Sequence, residues 1–167
     1  MIISVKEIKN FLISVLIPLL VGGVSTLLSN LISGQVTRSN YSQLIKPGFA
    51  PPGYIFPIVW TILFILMGIS AYIINKKGNE LAKVKDAMFY YKLQLVLVFL
   101  WSILFFGFGL RLTALIDLII LLITVIVMIL KFYKINKTAA YLNIPYLAWL
   151  IYAFFLNYFI WMINNYI

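Results

Sequence analysis

The chain has 167 residues, of which 64% are apolar and only 10% charged, with a mean hydropathy of +1.07 and a formal net charge of +9. A soluble domain carries about 25% charged residues, so there are too few here to clothe a water-facing surface, and lipid is the solvent that fits. Cysteine and histidine are both absent, which excludes disulfides, Cys or His metal sites, His acid–base chemistry and a His- or Cys-ligated haem.

Four acids remain as metal donors, Glu7, Glu80, Asp86 and Asp117, and only Asp117 falls inside an apolar stretch. No metal site and no required cofactor are expected. In hydrocarbon every backbone N–H and C=O must be paired within the protein, which leaves helices or closed barrels. The apolar runs are continuous rather than alternating, so the expected fold is an all-α membrane protein, one domain over residues 1–167 built as a bundle of five transmembrane helices. The spans are placed at 11–32, 52–75, 88–106, 112–130 and 139–163, each near the ~20 residues that cross ~30 Å of hydrocarbon.

Lys6 and Lys9 precede the first span, whose apolar stretch is long and is followed by no clear small-residue cleavage site, so it reads as a helix and not a signal peptide. Gly22, Thr26, Ser29 and Ser33 form a small-residue stripe along it, suited to close packing inside the bundle ahead of a dimer seam. The connection 33–51 is long and polar, with Pro47 and Pro51 to stiffen it and Tyr41 and Phe49 to bury. Long loops in compact domains are commonly functional, and a folded lid is expected ahead of a linker. Pro52 and Gly53 are expected to open the second helix, after which Phe56, Trp60 and Phe64 share one face at i, i+4, i+8. Those rings serve either helix packing or a ligand. Gln94 in the third span is a polar group at depth that needs a partner.

Gly107 to Arg111 is a connection short enough to force an antiparallel hairpin. Asp117 follows in the fourth span; an acid there marks a buried, paired or protonated group or a polar anchor at a cavity wall. Pro145 falls inside the fifth span and is expected to kink it and widen a central cavity. Trp149, Ala153 and Leu156 share a face there, where a small residue one turn from an indole leaves either a hollow for a flat ligand or a close helix contact.

Lys6, Lys9, Lys76, Lys77, Lys83, Lys85, Lys92, Lys131, Lys134 and Lys137 fall on one side of five spans, ten cations against the three of Arg38, Lys46 and Arg111. The positive-inside rule then puts the N-terminus in the cytoplasm and the C-terminus outside. Because the cations sort by membrane side, the net charge does not point to nucleic acid. No Ser/His/Asp set, carboxylate pair, phosphate-binding glycine loop or internal repeat supports catalysis or ion-driven transport.

Five stretches taken together carry a resemblance. They are Lys46-Pro47-Gly48-Phe49-Ala50-Pro51-Pro52-Gly53 with Val59-Trp60; Phe105-Phe106-Gly107; Ala114-Leu115-Ile116-Asp117-Leu118; Pro145-Tyr146-Leu147-Ala148-Trp149; and Ala153 with Leu156-Asn157-Tyr158. In this order they resemble the translocator protein / tryptophan-rich sensory protein family, also called peripheral benzodiazepine receptors, over nearly the whole chain. The resemblance implies a five-helix bundle, often a homodimer, in a bacterial plasma membrane, with one cavity roofed by the first loop. It implies binding of porphyrin-type ligands such as protoporphyrin, and of sterols or benzodiazepine-like drugs, in their transport, sensing or breakdown. The pocket residues it carries over are Tyr41, Pro51, Phe56, Trp60, Phe64, Gln94, Asp117, Trp149, Ala153 and Leu156. Trp60 and Trp149 match the pair associated in bacterial members with light-dependent porphyrin breakdown. Departures are Phe49 for the loop tryptophan, Val98 and Phe99 for an Asn-Trp pair, Thr113 for a fourth-helix tryptophan, and Met162 where a sterol motif needs Arg or Lys.

Overall fold

The computed structural model describes residues 5–78 and 81–164; Glu80 lies outside them. Five helical segments are long and apolar enough to cross a membrane: Val5–Ser33, Ile55–Asn75, Ala82–Gly107, Arg111–Ile135 and Lys137–Asn164. The shortest has 21 residues, about 32 Å at 1.5 Å per residue. They comprise α1 (Val5–Ser33), α3 (Ile55–Asn75), α4 (Ala82–Ser102) with a π-helical turn at Ile103–Gly107, α5 (Arg111–Ile135), and the pair α6 (Lys137–Tyr141) and α7 (Ile144–Asn164). The remaining helix, α2 (Thr37–Gln43), folds within the first connection.

Two expectations about proline are corrected. The second helix opens at Ile55, not Pro52: residues 51–54 form a turn in which the Ile55 N–H donates to Pro52 O at 3.0 Å. Had the helix begun at Pro52, Pro57 would have stood in its interior, without the N–H to bond residue 53 and with its ring against that carbonyl. Starting at Ile55 leaves Pro57 in the first turn, where no donor is needed. Pro145 obeys the same rule. It does not kink a continuous helix; the chain breaks at Leu142–Asn143 and Pro145 becomes the second residue of α7. Asn136 caps α6 by accepting from the Ala139 N–H at 3.0 Å. Asn143 fills the break, its Nδ2 donating to Ser70 Oγ at 2.7 Å and Ala139 O at 2.9 Å.

Helix ends also run past the expected spans. α1 starts before 11, α4 before 88, and α5 continues beyond 130. These extra turns carry Lys6, Lys9, Lys83, Lys85, Lys131 and Lys134, which remain helical. There Lys76 pairs with Glu7 at 2.8 Å and Lys131 pairs with Asp86, joining α3 to α1 and α5 to α4. The Glu7 hydrogen bond and charge hold the Lys76 ammonium above its ordinary range.

Around the bundle, α1 packs between α3 and α4, α4 packs on α5, α5 on α6 and α7, and α6 closes the ring on α3. The α4–α5 hairpin turns through Phe108–Leu110, with Gly109 at φ +67° and the Phe108 N–H donating to Ile103 O. The α1–α3 crossing is backbone-close: a Cβ on Gly68 would lie 2.4 Å from Val15 Cα and 2.6 Å from Ser14 O. Gly22 and Ser29 of the small-residue stripe of α1 face inward, while Thr26 is exposed. Phe64 lies against Gly22, and Ser29 is fully buried with its hydroxyl 3.3 Å from that of Ser102 on α4.

Candidate functional site

The first connection is folded down across one end of the bundle. Asn30 at the end of α1 accepts from both the N–H and the hydroxyl of Thr37, which starts α2. Asn40 Nδ2 donates to Phe106 O at 2.8 Å, pinning α2 to the π-helical turn, whose widened ring leaves that carbonyl free for a side chain. Lys46 Nζ donates to three carbonyls at the end of α2, those of Tyr41, Ser42 and Leu44, at 2.8–3.0 Å. A cation over the carbonyl end of a helix satisfies acceptors that the helix itself cannot. Beyond it Tyr152 donates to Phe49 O at 3.0 Å, and Asn164 exchanges two hydrogen bonds with the Ile45 backbone. The segment is thereby tied to α1, α4 and α7.

Beneath α2 lies a cavity of about 530 Å³ between α1, α3 and α4. Its inner wall is apolar, formed by Leu19, Phe64, Val98, Trp60 and Trp101; its rim is polar, formed by Thr26, Asn30, Thr37, Arg38 and Ser102. The rings are ordered against one another. Trp60 stacks on Phe64 (5.3 Å between centroids, 29° between planes) and lies 6.2 Å from Trp101, which stacks on Phe105. Trp101 is held by its Nε1–H to Asn157 Oδ1 at 3.1 Å, and Asn157 Nδ2 donates to Arg111 O at 2.9 Å. Asn157 thus links α4, α5 and α7 while keeping both of its polar ends satisfied in an apolar interior.

Of the ten residues singled out, Tyr41, Phe56, Trp60 and Phe64 line this cavity. Tyr41 is 3% exposed, donates to Pro51 O at 3.1 Å and meets Phe56 edge-on at 4.9 Å, so Pro51 acts here through its carbonyl. Ala153 and Leu156 line a small adjoining void of about 10 Å³ with Tyr41, Phe56 and Trp101. The structure does not bring the other three into the cavity wall. Trp149 meets Phe56 edge-on at 5.9 Å, and its Nε1 is buried without a partner among the described residues. Gln94 lies deeper, accepting from the Tyr146 hydroxyl at 2.9 Å, with its amide 3.8 Å from Met67 Sδ. Asp117 is buried, and its Oδ2 has no partner among the described residues. The indole that shares the cavity with Trp60 is therefore Trp101, not Trp149. Sequence reasoning passed over Trp101 and Arg38. Trp101 follows Gln94 and Val98 at i+7 and i+3, a spacing that puts all three on one face.

Five helices long and apolar enough to cross a membrane, three of them enclosing an aromatic-walled cavity under a connection stitched to the bundle, define an integral membrane protein of the small helical-bundle class. The chain belongs to the TspO/MBR family, whose family model matches residues 14–162. It is 41% identical over 134 residues to the tryptophan-rich protein TspO of Archaeoglobus fulgidus (79% of this chain, 84% of that protein). With the tryptophan-rich protein TspO of Chlorobaculum tepidum it shares 37% over 124 residues (74% and 78%). The human translocator protein is 33% identical over 126 residues, covering 75% of each chain.

Proposed function

We propose that this protein binds a flat, hydrophobic tetrapyrrole such as protoporphyrin in the cavity under α2. The observation that carries this reading is the wall itself: two indoles and Phe64, already stacked or tilted on one another, beside about 530 Å³ of space. That volume falls within the ~300–1,000 Å³ of small-molecule and cofactor sites. Aromatic rings favour offset stacking with ring centroids ~4.5–7 Å apart, so a planar macrocycle extends an arrangement the protein has already made. α2 and its ties serve as the lid. The test is titration of purified protein with protoporphyrin, followed by quenching of tryptophan fluorescence. Trp60→Leu and Trp101→Leu are expected to weaken binding about tenfold each, as for removal of a stacked ring. Trp149→Leu, outside the wall, is expected to change it far less. Parent-like binding by both wall variants would remove the cavity as the site.

A second reading, light-dependent breakdown of the bound pigment, is favoured by one distance, the 6.2 Å between Trp60 and Trp101. Two adjacent indoles in the wall of a pigment site are placed to pass an electron to the light-excited macrocycle, leaving an indole radical cation and a macrocycle radical anion that dissolved dioxygen oxidises. Illuminating the same samples in air and following the pigment absorbance separates it from passive binding. The lysine asymmetry supports an N-terminus in the cytoplasm, and the similarity to a bacterial relative supports a bacterial plasma membrane.

A further inference from the structure

The polarity of the cavity runs in one direction. Leu19 and Asn30 both line it and are eleven residues apart on α1, about 16 Å along the axis. Beyond Leu19 the wall carries Phe64 and Val98, and the Ser25, Thr26 and Thr61 hydroxyls along it donate back to carbonyls of their own helices; at the Asn30 end stand Thr37 and Arg38. Arg38 is the one charged side chain among the described residues that line the cavity. Its stem passes over Gly53, where a Cβ would lie 3.4 Å from Arg38 Cγ, and this lays it along the rim.

Among the described residues no acidic side chain pairs with that cation. No acid occurs in the sequence between Glu7 and Glu80, or after Asp117. Glu7 and Asp86 pair with lysines at the opposite end of the bundle, and Asp117 is buried outside the cavity. The neighbouring cation, Lys46, is committed to three backbone carbonyls. Arg38 itself is exposed and pairs with no acid among the described residues. A guanidinium presents a planar fork that matches a carboxylate or phosphate with two parallel hydrogen bonds, and Thr37 and Asn30 beside it add polar atoms to the same rim.

We propose that Arg38 is the anion-recognising residue of this cavity, and that its ligand is an acidic amphiphile seated with its apolar body against Phe64 and Val98 and its anionic group at the α2 rim. This rests on the cavity being the binding site proposed above and narrows what it accepts: a carboxylate- or phosphate-bearing molecule is preferred to a neutral one of equal shape. The anion can belong to a free tetrapyrrole acid or to a lipid headgroup.

The experiment compares protoporphyrin with its dimethyl ester, which keeps the macrocycle and masks both carboxylates, by fluorescence quenching in phosphatidylcholine nanodiscs. The parent is expected to bind the free acid about threefold to tenfold tighter, the effect of one partly screened charge-assisted contact, with the preference shrinking as salt is raised. Arg38→Gln should bind both forms alike, while Arg38→Lys keeps most of the preference. Equal affinities in the parent, or a preference that survives in Arg38→Gln, overturn the proposal and leave the tetrapyrrole site standing. If neither form binds, the tetrapyrrole reading fails, and native mass spectrometry with phosphatidylglycerol and phosphatidylcholine decides the anion site. Selective retention of phosphatidylglycerol by the parent and not by Arg38→Gln supports it with lipid as the source; equal retention overturns it.

Discussion

Tyr41 joins the first connection to the cavity. Its ring is buried beneath α2, its hydroxyl donates to Pro51 O, and burial with the nearby Tyr152 pushes its phenol up to about 12. An open chain ionises tyrosine near 10, so the folded loop holds its proton more tightly than the open one. The stabilisation is complete below pH ~10, weakens above it and is gone once the folded phenol ionises near 12. Protease cleavage within 37–53 is expected to rise across that window, and Tyr41→Phe, which has no proton to lose, should flatten the rise. An equally steep rise in the variant would place the switch elsewhere. Phe56, Trp60 and Phe64 were legible from spacing alone, because three aromatics on one helix face form a pattern. Trp101 was not, since in a helix apolar on every side one more large ring gives no contrast. Arg38 depends on how 33–51 folds, and no periodicity governs an irregular connection.

At the level of helices, the apolar runs announced all five spans because lipid demands length and backbone closure of each one. Their ends were less legible. The lysine-bearing turns of α4 and α5 stay helical after hydropathy falls, and Pro57 and Pro145 each decide a start from inside the segment they begin. The small-residue stripe of α1 hinted at close packing, but the closest approach, Gly68 against the backbone of Val15, left no pattern in the sequence. Alanine at Gly68 must push α1 and α3 apart, at a cost of about 1–3 kcal/mol typical of overpacking. Gly23, on the same helix at the cavity wall, makes a control, since a Cβ there meets nothing within 4 Å. Thermal inactivation of purified protein should shift down for Gly68→Ala and hold or rise for Gly23→Ala, where helix propensity alone acts.

On the scale of the whole molecule, the three cations of the α2 end face the ten lysines of the other. The proposed orientation places Ser42 outside the cell and Lys134 inside. The natural chain has no cysteine, so single Ser42→Cys and Lys134→Cys substitutions report without background. A membrane-impermeant maleimide on intact cells should modify the first and reach the second only after lysis; the reverse pattern would invert the topology. The order of helices around the ring also bears on biogenesis. The second and third spans leave the insertion machinery one after the other, yet they settle on either side of the first and touch each other little. Assembly is therefore no succession of hairpins: the earliest-made helix waits as a wedge, and the space destined for the ligand has no third wall until both later arrivals have docked against it.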